Sequence, residues 1–466
     1  MEEKKKKGFK MPHTFVILIA CILLVAIGTY VIPAGSYERV DMDGRQVVDA
    51  ESFANVEQNP TGFFDLFKSI PNGMVAAADI IFFIFIVGGC FAVVMATDAL
   101  QKGIGRLALA AQGKEKMLVP IVMAIFALGG STFGMTEECI AFIPLGVALA
   151  RAIGYDAVTG CAMVILGAAC GFTAGFMNPF TVGVAQGIAE LPLFSGIGMR
   201  IVIWFIMIIV TSIYVLRYAG KVKSDPKLSL VADLEIEEKH KQIDLSKSEK
   251  MSGRDIAIVL TVVIMMCVLV YGVFKYDWYL TEICALFIIM AVVAGFVGGF
   301  GPSRIATEFV AGAKDIVFGA LVVGVARAIL VVMEQGLIID SVVHALASVI
   351  TALPKSIAAI GMYVVQVIIN FFIPSGSGQA AATMPIMTPL ADVIGLTRQT
   401  AVLAYQFGDG FTNSIIPTSA ALMANLSVAK VPYEKWVKFI TPLMGIWIVI
   451  GAVFMVIATI MNYGPF

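Results

Sequence analysis

Residues 126–156 read FALGGSTFGMTEECIAFIPLGVALARAIGYD, and residues 371–397 read FFIPSGSGQAAATMPIMTPLADVIGLT. With Pro144 set on Pro385, Leu149 falls on Leu390, Ala150 on Ala391, and Ile153 and Gly154 on Ile394 and Gly395. Each copy is apolar, yet Gly, Ser and Thr interrupt one end of it. Apolar flanks place the two stretches in a membrane. Interrupted backbone is tolerated at membrane depth only where protein buries it or a watery cavity is lined by it. Two such segments at matching places in two halves point to a transporter binding site.

The surrounding chain agrees. Its 466 residues are 59% hydrophobic and 14% charged, with mean hydropathy +0.91. A soluble domain carries roughly 25% charged residues, and several runs here exceed the ~20 apolar residues that cross a bilayer. The net charge of −1 says nothing about partners, and no nucleic-acid signal is visible. The polybasic start, MEEKKKKGFK, precedes a long apolar run and reads as the cytoplasmic flank of a retained first span in a bacterial cytoplasmic membrane. The seven cysteines lie in apolar stretches with no C-x-x-C spacing, and the three histidines are scattered, so a disulfide framework and a structural zinc are not expected.

Taken in order, 13–32 is the first span. Residues 33–70 form a polar excursion closed by an amphipathic interfacial helix, and 76–97 returns to the cytoplasm. The arms of 117–153 are only about 14–17 residues long, which favours a re-entrant hairpin with its tip near 131–138. A discontinuous helix follows over 157–190, interrupted at 171–181, and then a span over 199–216. The charged stretch 217–254 reads as a cytoplasmic linker. Spans over 256–274 and 280–300 and an amphipathic segment over 304–314 lead into the second half. That half repeats the first, with a hairpin over 355–395, a helix over 399–428 broken at 408–419, and a last span over 439–461. Asp79 matches Asp315, Gly88 matches Gly324, Asp98 matches Glu334 and Pro192 matches Pro432. The expected fold is an all-α integral membrane protein, an inverted-repeat transporter with about nine transmembrane helices and two re-entrant hairpins. Its halves are 1–216 and 255–466. The odd span over 256–274 turns the second half upside down.

The strongest motifs are GGSTFGMTEECIAFIPLG, GFTAGFMNPFTVGVAQ and GDGFTNSIIPTSAALMANLSVA. In these the chain resembles the YfcC-like branch of the dicarboxylate anaerobic carriers, within a broader ion-transporter superfamily. The resemblance implies a homodimer with a scaffold and an elevator-like transport domain. It also implies a carboxylate-bearing cargo, either a dicarboxylate or, in this branch, arginine and ornithine in exchange. The Ser-Asn-Thr tips of sodium–dicarboxylate carriers are absent in that order.

Candidate binding residues follow from the interruptions. The first tip offers Ser131, Thr132, Gly134, Thr136, Glu137 and Glu138, and the second Ser375, Gly376, Ser377, Gly378 and Gln379. Glycines leave backbone amides approachable, hydroxyls add donors and acceptors, and converging helix ends add partial charge. The helix breaks add Asn178, Asp409, Thr412, Asn413 and Thr418, with a possible Na⁺ near Thr173, Asn178, Asp409 and Asn413. A charge at the centre of a membrane helix costs about 2.5–3.5 kcal/mol on insertion scales, so Glu137, Glu138 and Asp409 are functional candidates. For Glu138 a bond to the hairpin's own amides competes with that reading. The mate of Asp409 in GDGFTNS is Cys170 in ACGFTAG, so this carboxylate belongs to one half only.

Arg151, Arg200 and Arg398 read as snorkelling span ends, and Arg327 as a partner of Glu334 or a dimer contact. Trp204, Trp278, Trp436 and Trp447 read mostly as interface-belt residues. No G-x-x-x-x-G-K-[ST] motif is present and no convergent nucleophile and base are visible, so neither a primary pump nor an enzyme is expected. A channel would need rings of like charge. The expected function is therefore secondary active transport. The cargo is an amino acid such as arginine or ornithine, or else a four-carbon dicarboxylate. Na⁺ or H⁺ is the possible coupling ion.

Overall fold

The computed structural model describes residues 14–42, 45–49, 51–110, 113–132, 134–234, 251–276, 278–351 and 353–464. The polybasic start with Lys4, and residues 235–250 of the linker with Lys239, lie outside them. In the first half the helices are α1 (Thr14–Val31), α2 (Phe63–Ala76), α3 (Ala78–Met95), α4 (Ala99–Ala110), α5 (Glu115–Thr132), α6 (Cys139–Ala152), α7 (Ala157–Ala174), α8 (Val184–Ile188) and α9 (Ile197–Ser224). α10 (Gly253–Tyr276) follows the linker. The second half has α11 (Leu280–Val297), α12 (Pro302–Asp315), α13 (Val317–Gln335), α14 (Ile339–Thr351), α15 (Lys355–Phe372), α16 (Gly376–Ile394), α17 (Arg398–Thr412), α18 (Ala420–Val428) and α19 (Tyr433–Ile460). The order of the first nine recurs in the last nine.

Local chemistry sets the boundaries. Asp156 caps α7 by accepting from the Thr159 amide at 2.9 Å, and Thr397 caps α17 at the matching place. Both α6 and α16 end where a glycine enters the left-handed region, Gly154 at φ 87° and Gly395 at φ 79°. Six described helices, α3, α5, α7, α9, α11 and α19, are long and apolar enough to cross a bilayer. α12 and α13, bent by 47°, together form a possible seventh crossing.

The halves interlock. α2 packs on α13 and α12 packs on α3, so each half completes the other. The contact is close: a Cβ on Gly73 would come 2.5 Å from the Gly324 carbonyl oxygen, and one on Gly312 would come 2.6 Å from that of Gly88. A second group forms around α7 and α17, which touch each other. α5, α6 and α9 pack along α7, and α15, α16 and α19 along α17.

The structure corrects several expectations. The register of the early repeat lies three residues later than the sequence match. The interruption at Ala77 (φ −115°, ψ 18°) recurs at Ile316 (φ −108°, ψ 3°), and the positive φ of Asp98 (58°) recurs at Leu337 (53°). Gly88 is therefore matched with Arg327, not with Gly324. Residues 99–110 and 339–351 form two further helices, and α9 runs to Ser224, into the stretch read as linker. α2 does not merely lie at an interface but packs on α13.

The polar excursion is not purely helical either. β1 (Gly35–Ser36) pairs with β4 (Ala54–Asn55), and β2 (Arg39–Met42) with β3 (Arg45–Val48), all antiparallel. This cap is fastened to α14 by Arg39, whose Nη1 and Nη2 reach the Asp340 carboxylate at 2.7 and 2.8 Å. The Tyr37 hydroxyl pairs with His344 Nδ1 at 2.9 Å, and Phe53 stacks on the His344 ring. Burial, with the Asp340 charge behind it, pushes the Tyr37 phenol up to about 12. β3 also rests against α16.

Candidate functional site

The interruptions between α5 and α6 and between α15 and α16 border one cavity of about 530 Å³. From the first tip, Gly134, Thr136, Glu137 and Glu138 line it; from the second, Pro374, Ser375, Gly376 and Ser377. Phe172, Phe180 and Thr181 come from the first helix break, and Asn413, Thr418, Ser419, Ala420 and Ala421 from the second. Ile80, Arg327, Trp278 and Tyr279 close the remaining side. α10 has 24 residues, about 36 Å of helix. Trp278 and Tyr279 therefore follow the end of α10 remote from the linker, and the cavity extends toward that side.

Each tip is held by its own helix break. Asn178 Oδ1 accepts from the amides of Phe180 (2.9 Å) and Thr181 (3.3 Å), and its Nδ2 reaches the Gly130 carbonyl at 3.5 Å. Gly134, at φ 72°, has no room for a side chain, since a Cβ there would lie 2.8 Å from Asn178 Oδ1. In the second half the Tyr405 hydroxyl donates to the Gly376 carbonyl, and Ser375 caps α16. The Ser414 and Ile415 carbonyls, released by the break, accept from Trp436 Nε1 (2.9 Å) and the Tyr433 hydroxyl (2.7 Å). Trp436 and Trp447 are wholly buried, and Trp278 lines the cavity, so the interface-belt reading of these tryptophans does not hold.

Glu137 and Glu138 supply the negative charge. Glu138 Oε2 accepts from the Thr136 amide at 3.0 Å, the self-contained bond that competed with a role toward a solute. With Asp79, both glutamates lie within electrostatic reach of the Tyr279 hydroxyl. Positive character comes from Arg327 and from the N-terminus of α16, which opens on the cavity at Gly376.

Several sequence candidates stand behind the cavity wall. Ser131 and Thr132 turn their hydroxyls back to the Leu128 carbonyl, at 3.1 and 2.6 Å. Gln379 Nε2 bonds Gln366, at 2.9 Å to its carbonyl and 2.7 Å to its Oε1, stitching α15 and α16 together. Thr412 bonds the Gly408 carbonyl at 2.7 Å. Asp409 lies in the last turn of α17, ahead of the break, and is wholly buried. Its Oδ1 accepts from Asn413 Nδ2 at 2.9 Å, while Oδ2 has no partner. A Cβ on Gly376 would lie 3.3 Å from that Oδ2 and 2.6 Å from Thr181 Cγ2. The Thr173 and Thr181 hydroxyls also lack partners.

Sequence reasoning missed Asn370, whose Nδ2 lies within 3.1 Å of the Asp409 carbonyl, Thr412 Oγ1 and Asn413 Oδ1. The signal was an intramembrane amide one residue ahead of the quoted second stretch. Arg327 was discounted, and Tyr279 carried no motif.

The chain matches the family described as "C4-dicarboxylate anaerobic carrier" over residues 11–460. It is 34% identical over 501 residues to the "Putative basic amino acid antiporter YfcC" of Escherichia coli (strain K12), covering 99% of each chain. An uncharacterized protein of Haemophilus influenzae is 31% identical over 500 residues, covering 97% of this chain and 98% of its own. Among solved structures, the Alcanivorax borkumensis YdaH transporter aligns with a TM-score of 0.43 at 15% identity, covering 97% of this chain and 100% of its own. Neisseria gonorrhoeae MtrF, described as one of a class of antimetabolite efflux pumps, aligns with a TM-score of 0.42 at 16% identity over 97% and 96%. Neither structural likeness is close enough to assign a cargo.

Proposed function

The chain belongs to the C4-dicarboxylate anaerobic carrier family of membrane transporters, and on that premise we propose that it is a secondary active transporter of an amino acid with a cationic end, such as arginine or ornithine. The observation that carries this reading is the cavity's paired character. Glu137 and Glu138, with the aromatic faces of Trp278 and Tyr279, suit an ammonium or guanidinium group. Ser375, Gly376 and Ser377 at the N-terminus of α16, with Arg327, suit a carboxylate. The "basic amino acid" in the name of the Escherichia coli relative favours the same cargo. Arg327 favours the second reading, a four-carbon dicarboxylate held at both ends by positive charge.

The unpartnered oxygens of Asp409, Thr173 and Thr181 support a coupling cation, Na⁺ or H⁺, beside the second tip. The repeated order of elements supports an inverted repeat with about nine crossings and two re-entrant hairpins. In that scheme the group around α7 and α17 moves, elevator-like, against the interlocked group in a homodimer.

Proteoliposome uptake tests the cargo, with labelled arginine, ornithine, neutral amino acids, succinate and fumarate, each with and without Na⁺ and pH gradients. Arginine or ornithine should exchange across the membrane. Glu137→Gln should weaken uptake about 10–100-fold, the loss of a hydrogen bond to a charged group. Succinate uptake with none of arginine decides for the dicarboxylate.

Orientation is tested by single-cysteine labelling of sealed cells. With the N-terminus cytoplasmic, a cysteine at exposed Asp41 should react from outside, and cysteines at Lys114 and Lys435 should not. Asp340, on the same outer side, is shielded by Arg39 and is a poor probe. The reverse labelling pattern refutes this topology.

A further inference from the structure

A second cavity, of about 320 Å³, lies between α11 and α12 and shares no lining residue with the central one. Both helices pack along α3. Ile288, Val292 and Phe296 line it from α11, and Pro302, Ala306 and Phe309 from α12; every lining residue is apolar. These spacings set one face of each helix on the cavity. Water finds no hydrogen-bond partner there. From Ile288 to Phe296 the groove follows about 12 Å of helix, most of the ~15 Å of hydrocarbon in one leaflet. Spread over that length, the cavity is about 6 Å across. A helix with its side chains is about 10–12 Å wide and does not enter. A single hydrocarbon chain, whose carbons approach their neighbours to about 4 Å, does.

Charge marks the linker-side end of this groove. There α11 turns into α12 over 298–301. Arg254, the second residue of α10, reaches that turn, its Nη1 3.8 Å from where a Cβ on Gly299 would sit. Arg304, in the first turn of α12, lies over the Phe300 ring with its Cζ 3.7 Å from the centroid, and Glu308 stands 3.7 Å from its Nε. Both arginines are exposed, unlike Arg200, which is wholly buried and does not snorkel as expected. Asp255, beside Arg254 in sequence, is committed to Lys102 and the Ser252 amide.

We propose that the groove holds an acyl chain of an anionic phospholipid, with its phosphate on Arg254 and Arg304. A guanidinium fork suits a phosphate, and basic pockets between membrane helices hold anionic headgroups. α12 is half of the joint with α3, so the lipid braces the place where the two halves interlock. The site does not depend on which solute is carried.

The test is native mass spectrometry of the purified, delipidated full-length protein, titrated with phosphatidylglycerol or with phosphatidylcholine of the same chains. One phosphatidylglycerol per chain should bind about 25-fold more tightly than phosphatidylcholine, about fivefold for each arginine. Arg254→Gln and Arg304→Gln should each remove about fivefold, and lysine at both positions should keep most of the preference. Glycerol phosphate, which has the charge without the chain, should not compete. Ala306→Trp, and Val292→Trp from the opposite wall, replace exposed residues, fill the groove and should abolish the preference with both arginines in place. Equal binding of the two lipids by the wild type overturns the proposal. So does a preference that survives the paired Arg→Gln changes or the two tryptophans, or a structure with a second copy's helix in the groove.

Discussion

Asparagine at position 409 is expected to stop transport without unfolding the protein. Asp409 is wholly buried, with one oxygen held by Asn413 and the other facing Gly376 unpartnered. Asp409→Asn keeps the size and most of the packing and removes the charge. An unpaired buried carboxylate is an expensive feature unless a cation or a proton attends it. The unpartnered Thr173 and Thr181 hydroxyls lie by the same helix breaks, which favours a cation. Uptake should fall about 10–100-fold, while size-exclusion behaviour and membrane yield stay as in the wild type. Wild-type uptake with unchanged Na⁺ and pH dependence would make Asp409 a structural residue.

The largest stability effect is expected at Gly171→Ala. A Cβ there would come 1.8 Å from the Ala127 carbonyl oxygen and 2.8 Å from its Cα. The obstacle is backbone, which no rotamer change can move aside. Gly130 makes the reciprocal approach, its Cβ position falling 2.1 Å from the Ala168 carbonyl oxygen. The methyl group would push α5 off α7 and carry the first tip away from Asn178. A loss of about 3 kcal/mol or more is expected, at the upper end of overpacking costs. It should be read as a lowered unfolding temperature in detergent. Gly187→Ala, which meets nothing within 4 Å, is the control and should be near neutral. Equal unfolding temperatures for the two variants would mean that α5 and α7 do not pack this closely.

The helices and their interruptions were legible because length and apolarity announce the one, and Gly, Ser and Pro the other. What a side chain does within a helix was not. Ser131 and Thr132 looked like tip donors, but a hydroxyl on a helix readily returns to the carbonyl a turn earlier. Trp436 and Trp447 looked like belt residues, yet their N–H groups serve buried acceptors. The repeat register was readable at Pro144 and Pro385, where two prolines pin it. Three residues were lost near Gly88, where Asp79 with Asp315, Gly88 with Gly324 and Asp98 with Glu334 offered a coincidental match. That slip hid Arg327: one half carries a glycine where helices cross, and the other an arginine facing the cavity. A charge held by one copy alone marked Asp409 from sequence, and the corrected register marks Arg327 in the same way.

The interlock of the halves has a consequence for synthesis. α2 ends at Ala76, and its partner α13 does not begin until Val317. At about 5–20 residues per second, the growing chain holds α2 unpaired for roughly 12–50 s. α3 waits almost as long for α12. During that interval Gly73 and Gly88 present bare backbone with no facing helix, so the first half must be kept from other partners by the insertion machinery or by lipid. Separately expressed halves should therefore be short-lived alone and persist when made together.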